Sequence, residues 1–256
     1  MSIKVWTRYH DGMRKTPSVQ GVDISAVGAL LADPARASIV LALSGGVALP
    51  ASDLAQRAGI TPSTASTHLA RLLEVEWVAV ERSGRHRYYR LASPLVATVL
   101  EQLARVAPPI PVRSLRGQQQ NDALRLARSC YDHLAGKLGV ALADALVQQD
   151  VLRVEGSDFV LTPQGMAFLR QQGVDVPQAT RRRRAFARRC LDWSERRDHL
   201  AGALGAALFA TWEARGWIAR QADSRAVRLT PLGVAQLPAW GVAWPLDETS
   251  PAQASV

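Results

Sequence analysis

Residues 53–72 read DLAQRAGITPSTASTHLARL. A short run carrying Leu54 and Ala55 stops at Gly59, and Thr61-Pro62 opens a second run. Glycine ends helices by taking a left-handed conformation, threonine caps their starts, and proline suits the first turn. The stretch therefore predicts helix, tight turn, helix. The second helix has an apolar stripe of Ala65, Leu69, Leu72 and Leu73. Its other face carries Ser63, Thr64, Ser66, Thr67, His68 and Arg71. Small hydroxyls leading a helix let the backbone approach a nucleic-acid groove and bond to phosphates and base edges. An ordinary surface helix has the same residue types, so the flanking segments decide.

Upstream, SAVGALLADPARASIVLAL (25–43) predicts two helices meeting at Asp33-Pro34, with Asp33 capping the second. Downstream, WVAVERSGRHRYYRLA (77–92) reads as strand, Ser83-Gly84 turn and strand. Arg82, Arg85, His86, Arg87 and Tyr88 lie on its tip and outer face. A basic hairpin directly after a recognition helix has the form of a wing, whose cations reach flanking phosphates or the minor groove. The chain's 31 Lys+Arg against 22 Asp+Glu, net +9, favour a polyanionic partner.

In this order LADPARASIVLAL, DLAQRAGITPSTASTHLARL and VERSGRHRYYRL resemble the DNA-binding domain of the ArsR-type transcriptional repressors, over about residues 25–107. The resemblance implies a winged helix-turn-helix and a homodimer paired through the first helix and the helix after the wing (93–106). It also implies binding to an imperfect palindromic operator in double-stranded DNA. Metal-sensing members carry a cysteine pair at the start of the helix before the recognition helix. Here that place reads ALPASDLAQ (48–56), without cysteine or histidine. A second familiar metal site uses aspartate and histidine on the helix after the wing, which here offers only Glu101. Any effector is therefore expected elsewhere.

Residues 108–121 are proline-rich and then polar, as a linker would be. Beyond them the chain repeats itself. DHLAGKLGVAL (132–142) returns as DHLAGALGAAL (198–208), and the LTP-x-G of Leu161–Gly165 returns at Leu229–Gly233. Residues 122–150 show helical spacing from Leu124 through Ala127, Tyr131 and Leu134 to Ala145. Each copy thus reads as helix, hairpin, helix. The expected fold class is mainly α with β-hairpin wings: a winged helix-turn-helix followed by two tandem winged-helix-like repeats. The expected domains are an N-terminal extension (1–24), a DNA-binding and dimerisation domain (25–107), the linker (108–121), a duplicated effector or oligomerisation domain (122–240) and a tail (241–256). The paired glycines, Gly136 with Gly139 and Gly202 with Gly205, suggest close backbone approach.

Cys130 and His133, three apart on a helix, would face one way. With Cys190 they form a candidate cluster for zinc, cadmium or lead, since thiolate and imidazole select soft ions. Asp192, Trp193 and His199 lie close in sequence to Cys190. A thiol switch, or two structural buried cysteines, are the other readings. CYDHLAGKLGV and CLDWSERR also resemble the appended domain of a longer ArsR-type subgroup, which implies an effector or oligomerisation module without naming its ligand. A small organic effector between the repeats, against Trp193, Tyr131 and the histidines, stays open; no cofactor is expected to be required for the fold. The six arginines within 181–189 read as a solvated face, with a second DNA contact or an anion site as the sharper alternative.

No P-loop, nucleophile elbow or H-E-x-x-H stretch is present, and an enzyme is not expected. No apolar run nears the roughly 18 residues of a membrane span, and the N-terminus lacks a signal's apolar core. A cytoplasmic location without a membrane partner is expected. The leading functional expectation is a repressor released from its promoter by a small effector. A soft-metal-responsive regulator using Cys130, His133 and Cys190 is the alternative, and a non-specific architectural DNA-binding protein the third.

Overall fold

Asp33 sits at the joint of the first two helices, α1 (Ile24–Leu31) and α2 (Pro34–Leu43). Its carboxylate accepts the Arg36 backbone N–H at 2.9 Å, with Pro34 in the first turn. The Arg36 side chain reaches back to the Leu30 and Ala29 carbonyls at 2.6 and 3.0 Å, closing the open end of α1. The computed structural model describes residues 22–246 except 109, 113 and 223. The chain divides into two compact units at Leu103/Ala104. The expected extension (1–24) and tail (241–256) therefore lie largely outside the described residues.

In the first unit a short strand β1 (Leu49–Pro50) leads into α3 (Ala51–Ala58), which ends at Gly59 with φ 66°. Thr61 accepts the Thr64 N–H and starts α4 (Pro62–Glu74). Leu54 and Ala55 of α3 pack with Ala65, Leu69 and Leu72 of α4 among the buried residues, beside Leu30, Ile39, Val40 and Leu43. The wing is β2 (Val78–Ser83) paired antiparallel with β3 (His86–Leu91), in a sheet of order β1-β3-β2. Ser83 faces His86 across a two-residue loop, where Gly84 takes φ 59°. Mirror-image turns of this kind need positive φ and match the strand twist. Helix α5 (Pro94–Val106) follows.

The second unit departs from the expected helix over 122–150. Helix α6 (Leu115–Leu126) begins inside the expected linker. It is followed by a hairpin, β4 (Arg128–Cys130) and β5 (His133–Ala135), before α7 (Gly136–Gln148). Tyr131 has φ 60° and Gly136 φ 79°, which no right-handed helix accommodates. A Cβ on Gly136 would lie 2.7 Å from the Arg125 carbonyl oxygen, so only glycine fits. DHLAG is thus a strand running into a helix, in both copies.

The first copy continues with β6 (Leu152–Glu155), β7 (Asp158–Leu161) and α8 (Pro163–Gln171). After α9 (Val176–Thr180), the second copy runs β8 (Arg188–Leu191), β9 (Asp198–Ala201), α10 (Gly202–Ala214), β10 (Ile218–Arg220), β11 (Val227–Leu229) and α11 (Pro231–Gln236). Each repeat is therefore hairpin–helix–hairpin–helix. The unit mixes helix and sheet where a mainly helical one was expected, because its first hairpins occupy segments read as helix.

The recurring LTP-x-G has one physical basis in both places. Thr162 and Thr230 accept the N–H of Gly165 and Gly233, capping α8 and α11. A Cβ at either glycine would lie 2.1 Å from a carbonyl oxygen, of Val151 or Trp217. Strands pair in the order β6-β7-β8-β9, joining the copies in one antiparallel sheet. Leu138, Leu142 and Leu146 of α7 share a core with Leu204, Leu208 and Trp212 of α10, closed by Trp217 and Trp240. Val242 and Leu246 join that core, so the packed unit runs past residue 240.

Candidate DNA-binding surface and metal centre

The N-terminal half of α4 presents Ser63, Thr64, Ser66 and Thr67 to solvent. Ser66 Oγ donates to the Pro62 carbonyl at 3.0 Å and Thr67 Oγ1 to that of Ser63 at 3.4 Å, leaving their lone pairs outward. His68 is turned from this face. Its Nε2 lies 3.9 Å from Asp33 Oδ1, and its side chain is 15% exposed. Arg71 pairs with Glu74 at 2.7 Å. On the wing, Arg82, Arg85, His86 and Arg87 are exposed and Tyr88 is half-buried. Arg90 is bound to Glu81. Among the described residues Arg82 and Arg85 have no carboxylate partner, so the tip carries uncompensated positive charge.

Cys130 and His133 are not neighbours on a helix face; they are directly opposed across β4–β5. Cys190 and His199 are opposed in the same way across β8–β9. Tyr131 and Asp132 alone join the first pair, whereas the second spans a loop from Asp192 to Arg197. The two hairpins bring all four buried side chains together, with ligand atoms within 4.8 Å of one another. The histidine Nε2 atoms are 3.2 Å apart, and the rings stack with centroids at 5.1 Å. A tetrahedral zinc with Zn–N of about 2.0–2.1 Å sets neighbouring nitrogens about 3.3 Å apart. The spacing fits.

The glycines explain the duplicated phrase. A Cβ on Gly139 would stand 3.6 Å from the Cβ of His199, and one on Gly205 3.2 Å from that of His133. Nearer still are the Leu134 and Leu200 carbonyl oxygens, at 2.6 and 2.4 Å, so each glycine clears the preceding strand of its own copy, with the other copy's histidine beside it. His199 thus adds a fourth candidate ligand to the three that the sequence suggested.

Each histidine has a carboxylate at its other nitrogen. His133 Nδ1 lies 3.4 Å from Asp132 Oδ1, and His199 Nδ1 lies 3.3 Å from Asp192 Oδ2, the latter an ion-pair contact off the line of a good hydrogen bond. Carboxylates placed so orient metal-bound imidazoles and raise their basicity. Arg184 Nη1 donates to Asp132 at 2.7 Å and its Nη2 to the Gly202 carbonyl at 2.8 Å. Asp192 is fully buried, paired with Arg128 at 2.8 Å. Trp193, a candidate effector contact in the sequence, instead lies under the Arg128 guanidinium, 4.6 Å from ring centroid to Cζ.

Burial disfavours charge on Asp192, yet His199 and Arg128 outweigh it and hold the carboxyl well below its usual range. The hydrogen bond from Cys130, with lesser help from the imidazoles, overcomes burial and lowers the Cys190 thiol strongly. Burial likewise opposes the His199 imidazolium, but Asp192 and Cys190 push it up to about 9. The site thus favours thiolate, the form that ligates metal. Of the arginine run, Arg184 and Arg189 are held by Asp132 and Asp198. Arg181 to Arg183 are exposed and follow α9 outside any helix.

A helix-turn-helix with a basic wing, followed by a separate buried ligand cluster, defines a DNA-binding transcriptional regulator. The helix-turn-helix domain family matches residues 31–81. An HTH-type transcriptional regulator of Bacillus subtilis, YdfF, is 47% identical over 211 residues, covering 82% of this chain and 93% of the relative. The HTH-type regulator CmtR of Mycobacterium tuberculosis is 37% identical over 83 residues, covering 32% of this chain and 70% of its own. The solution structure of that organism's cadmium metal-sensor CmtR aligns at 35% identity, over 35% of this chain and 97% of that chain, with a TM-score of 0.28. The chain belongs to the HTH-type transcriptional regulators of the ArsR type. No single described helix is long and apolar enough to cross a membrane.

Proposed function

We propose that this regulator is a metal-responsive repressor, whose second unit takes one zinc or cadmium ion on Cys130, His133, Cys190 and His199. The observation that carries the reading is the convergence of these four buried ligand atoms from two equivalent hairpins. Two sulfurs and two nitrogens in a dry site suit a soft or borderline divalent ion. Four protein ligands leave no open coordination position, the arrangement of a structural or sensing site rather than a catalytic one. The helix–hairpin–helix part of each repeat, α7 to α8 and α10 to α11, keeps a winged-helix-like order and serves as one half of the sensor.

In this reading α4 enters the major groove with Ser63, Thr64, Ser66 and Thr67, while His68 and Arg71 act mainly by holding the helix. Arg82, Arg85, His86 and Arg87 reach flanking phosphates, with Tyr88 at their base. The protein works in the cytoplasm as a homodimer on an imperfect palindrome. Ile24 of α1 and Leu95, Leu103 and Val106 of α5 are exposed apolar side chains on the two helices that would pair with a second copy.

The test is fluorescence anisotropy with a labelled duplex from the region upstream of the gene. Saturating cadmium or zinc is expected to weaken binding within the roughly 5–150-fold range usual for coupled sites. Cys130→Ser should bind the duplex as the parent does and ignore the metal. DNA affinity unmoved by zinc, cadmium or lead in the parent protein would refute the sensor.

A further inference from the structure

The ion pair behind His199 lies outside the four candidate ligands, yet both of its side chains are fully buried. Arg128 and Asp192 both have fully buried side chains and lie 64 positions apart in sequence. Removing one partner of such a pair is costly, and replacing both by apolar residues often is not, so its retention calls for a role.

Asp192 has two occupied faces. Oδ2 faces His199 Nδ1 at 3.3 Å and accepts the Gly136 N–H at 2.7 Å. Gly136 opens α7, and Ala135 before it offers no side-chain cap, so the second copy's aspartate caps the first copy's helix. Oδ1 accepts from Arg128 Nη2 at 2.8 Å and from the Ser194 N–H and Oγ at 2.9 and 2.8 Å. Arg128 Nη1 in turn donates to the Leu124 carbonyl at 3.3 Å, in the last turn of α6. Helix α6 is the first element of the second unit after the chain leaves α5.

We infer that Asp192 and Arg128 are positioning residues that carry the metal's presence from His199 to the end of α6, the segment through which the second unit is tethered to the DNA-binding unit. The inference rests on the metal-sensor reading. A cation on His199 Nε2 would polarise the ring and strengthen the electrostatic pull between Nδ1–H and Asp192 Oδ2, which lie in ion-pair contact at 3.3 Å. The carboxylate divides its acceptor capacity between His199, Gly136 and Arg128, so a stronger demand on one side changes its hold on the others. Arg128 is fixed on one side by Trp193 and bonds the Leu124 carbonyl on the other. The matching chain from His133 runs through Asp132 and Arg184 but ends on the Gly202 carbonyl at the start of α10, not on α6. Signalling through the site is one-sided although its ligands are symmetric.

The experiment uses the full chain and cadmium alone, with Arg128→Lys and Asp192→Asn as variants. Cadmium affinity is measured first, by competition with a chromophoric chelator. Arg128→Lys should keep it within about tenfold of the parent, below the 10–100-fold cost of losing a direct partner of a ligand, because Asp192 and its charge stay in place. Its metal-dependent change in DNA affinity should fall below about threefold, against the larger coupling of the parent. Asp192→Asn should lose both, because it removes the charge facing His199 and, with its amide oxygen toward Gly136, turns an NH2 donor onto the donors of Arg128 and Ser194. Hydrogen exchange on the parent gives a reading free of any folding defect: cadmium should change the exchange rates of the Ala127 and Gly136 amides, which bond to the Ala123 carbonyl and to Asp192. An Arg128→Lys protein with the parent's full DNA response, or α6 amides indifferent to saturating cadmium, would overturn the inference. A parent that binds no cadmium overturns the sensor reading itself, and this inference with it.

Discussion

Cys190→Ser should bind cadmium at least about 100-fold more weakly than the parent, beyond the 10–100-fold cost of losing an outer-shell partner. Serine matches cysteine in shape but offers a neutral hydroxyl where the site provides a thiolate. The geometry makes Cys190 the sharpest single test. Its thiol is lowered by a hydrogen bond from Cys130 and by both imidazoles, so three neighbours are arranged around its charge. Cys130 and Cys190 pack against Ala135 and Ala201, small residues that leave the sulfurs unobstructed. The substitution removes no large side chain, so unfolding midpoint and metal-free DNA affinity should stay near the parent's. Chelator competition reads the metal affinity, and an affinity within threefold of the parent would remove Cys190 from the ligand set.

Replacing Arg82, Arg85 and Arg87 together by alanine should flatten the dependence of log K for DNA on log salt. Each phosphate contact contributes a slope of about 0.9, so three contacts amount to about 2.7. The loss should be nearly the same for the cognate duplex and for random duplex, because phosphate contacts carry no sequence information. Arg90→Ala makes the contrast within the same hairpin. Its guanidinium is already committed to Glu81, so its removal should change the slope by less than one contact. An unchanged slope in the triple variant would place DNA away from the wing.

The first unit was legible because its signals are local. Asp33-Pro34, Gly59 and Thr61-Pro62 act on the backbone within a few residues, and each operates where it was read. His68 and Arg71 are the exceptions. Helical spacing put them on the outer face, but Asp33 and Glu74, outside the pattern, draw them aside.

The second unit hid its hairpins for a physical reason. Arg128 to Cys130 and His133 to Ala135 are buried throughout, so the alternation that marks a half-exposed strand is missing. Spacing of three and four among Leu124, Ala127, Tyr131 and Leu134 then reads as helix. Cys130 and His133 were rightly associated on a mistaken geometry, since cross-strand register joins them as a helix face would have done. The pairing of Cys190 with His199 needs the register of β8 and β9, and that of Arg128 with Asp192 needs the packing of the two copies. Neither leaves a local trace. Only the repeated DHLAG announced that two equivalent places mattered, and its glycines, Gly136 and Gly202, prove to be the points where each hairpin turns into its helix against a carbonyl that a Cβ would meet at 2.7 Å.

X-ray absorption at the zinc edge, on the full chain loaded with zinc and passed over a desalting column, tests the central claim most directly. The account predicts one retained zinc per chain, with two sulfurs at about 2.3 Å and two imidazole nitrogens at about 2.0–2.1 Å. Zinc lost on the column, or held in a shell of oxygen without sulfur, would contradict it.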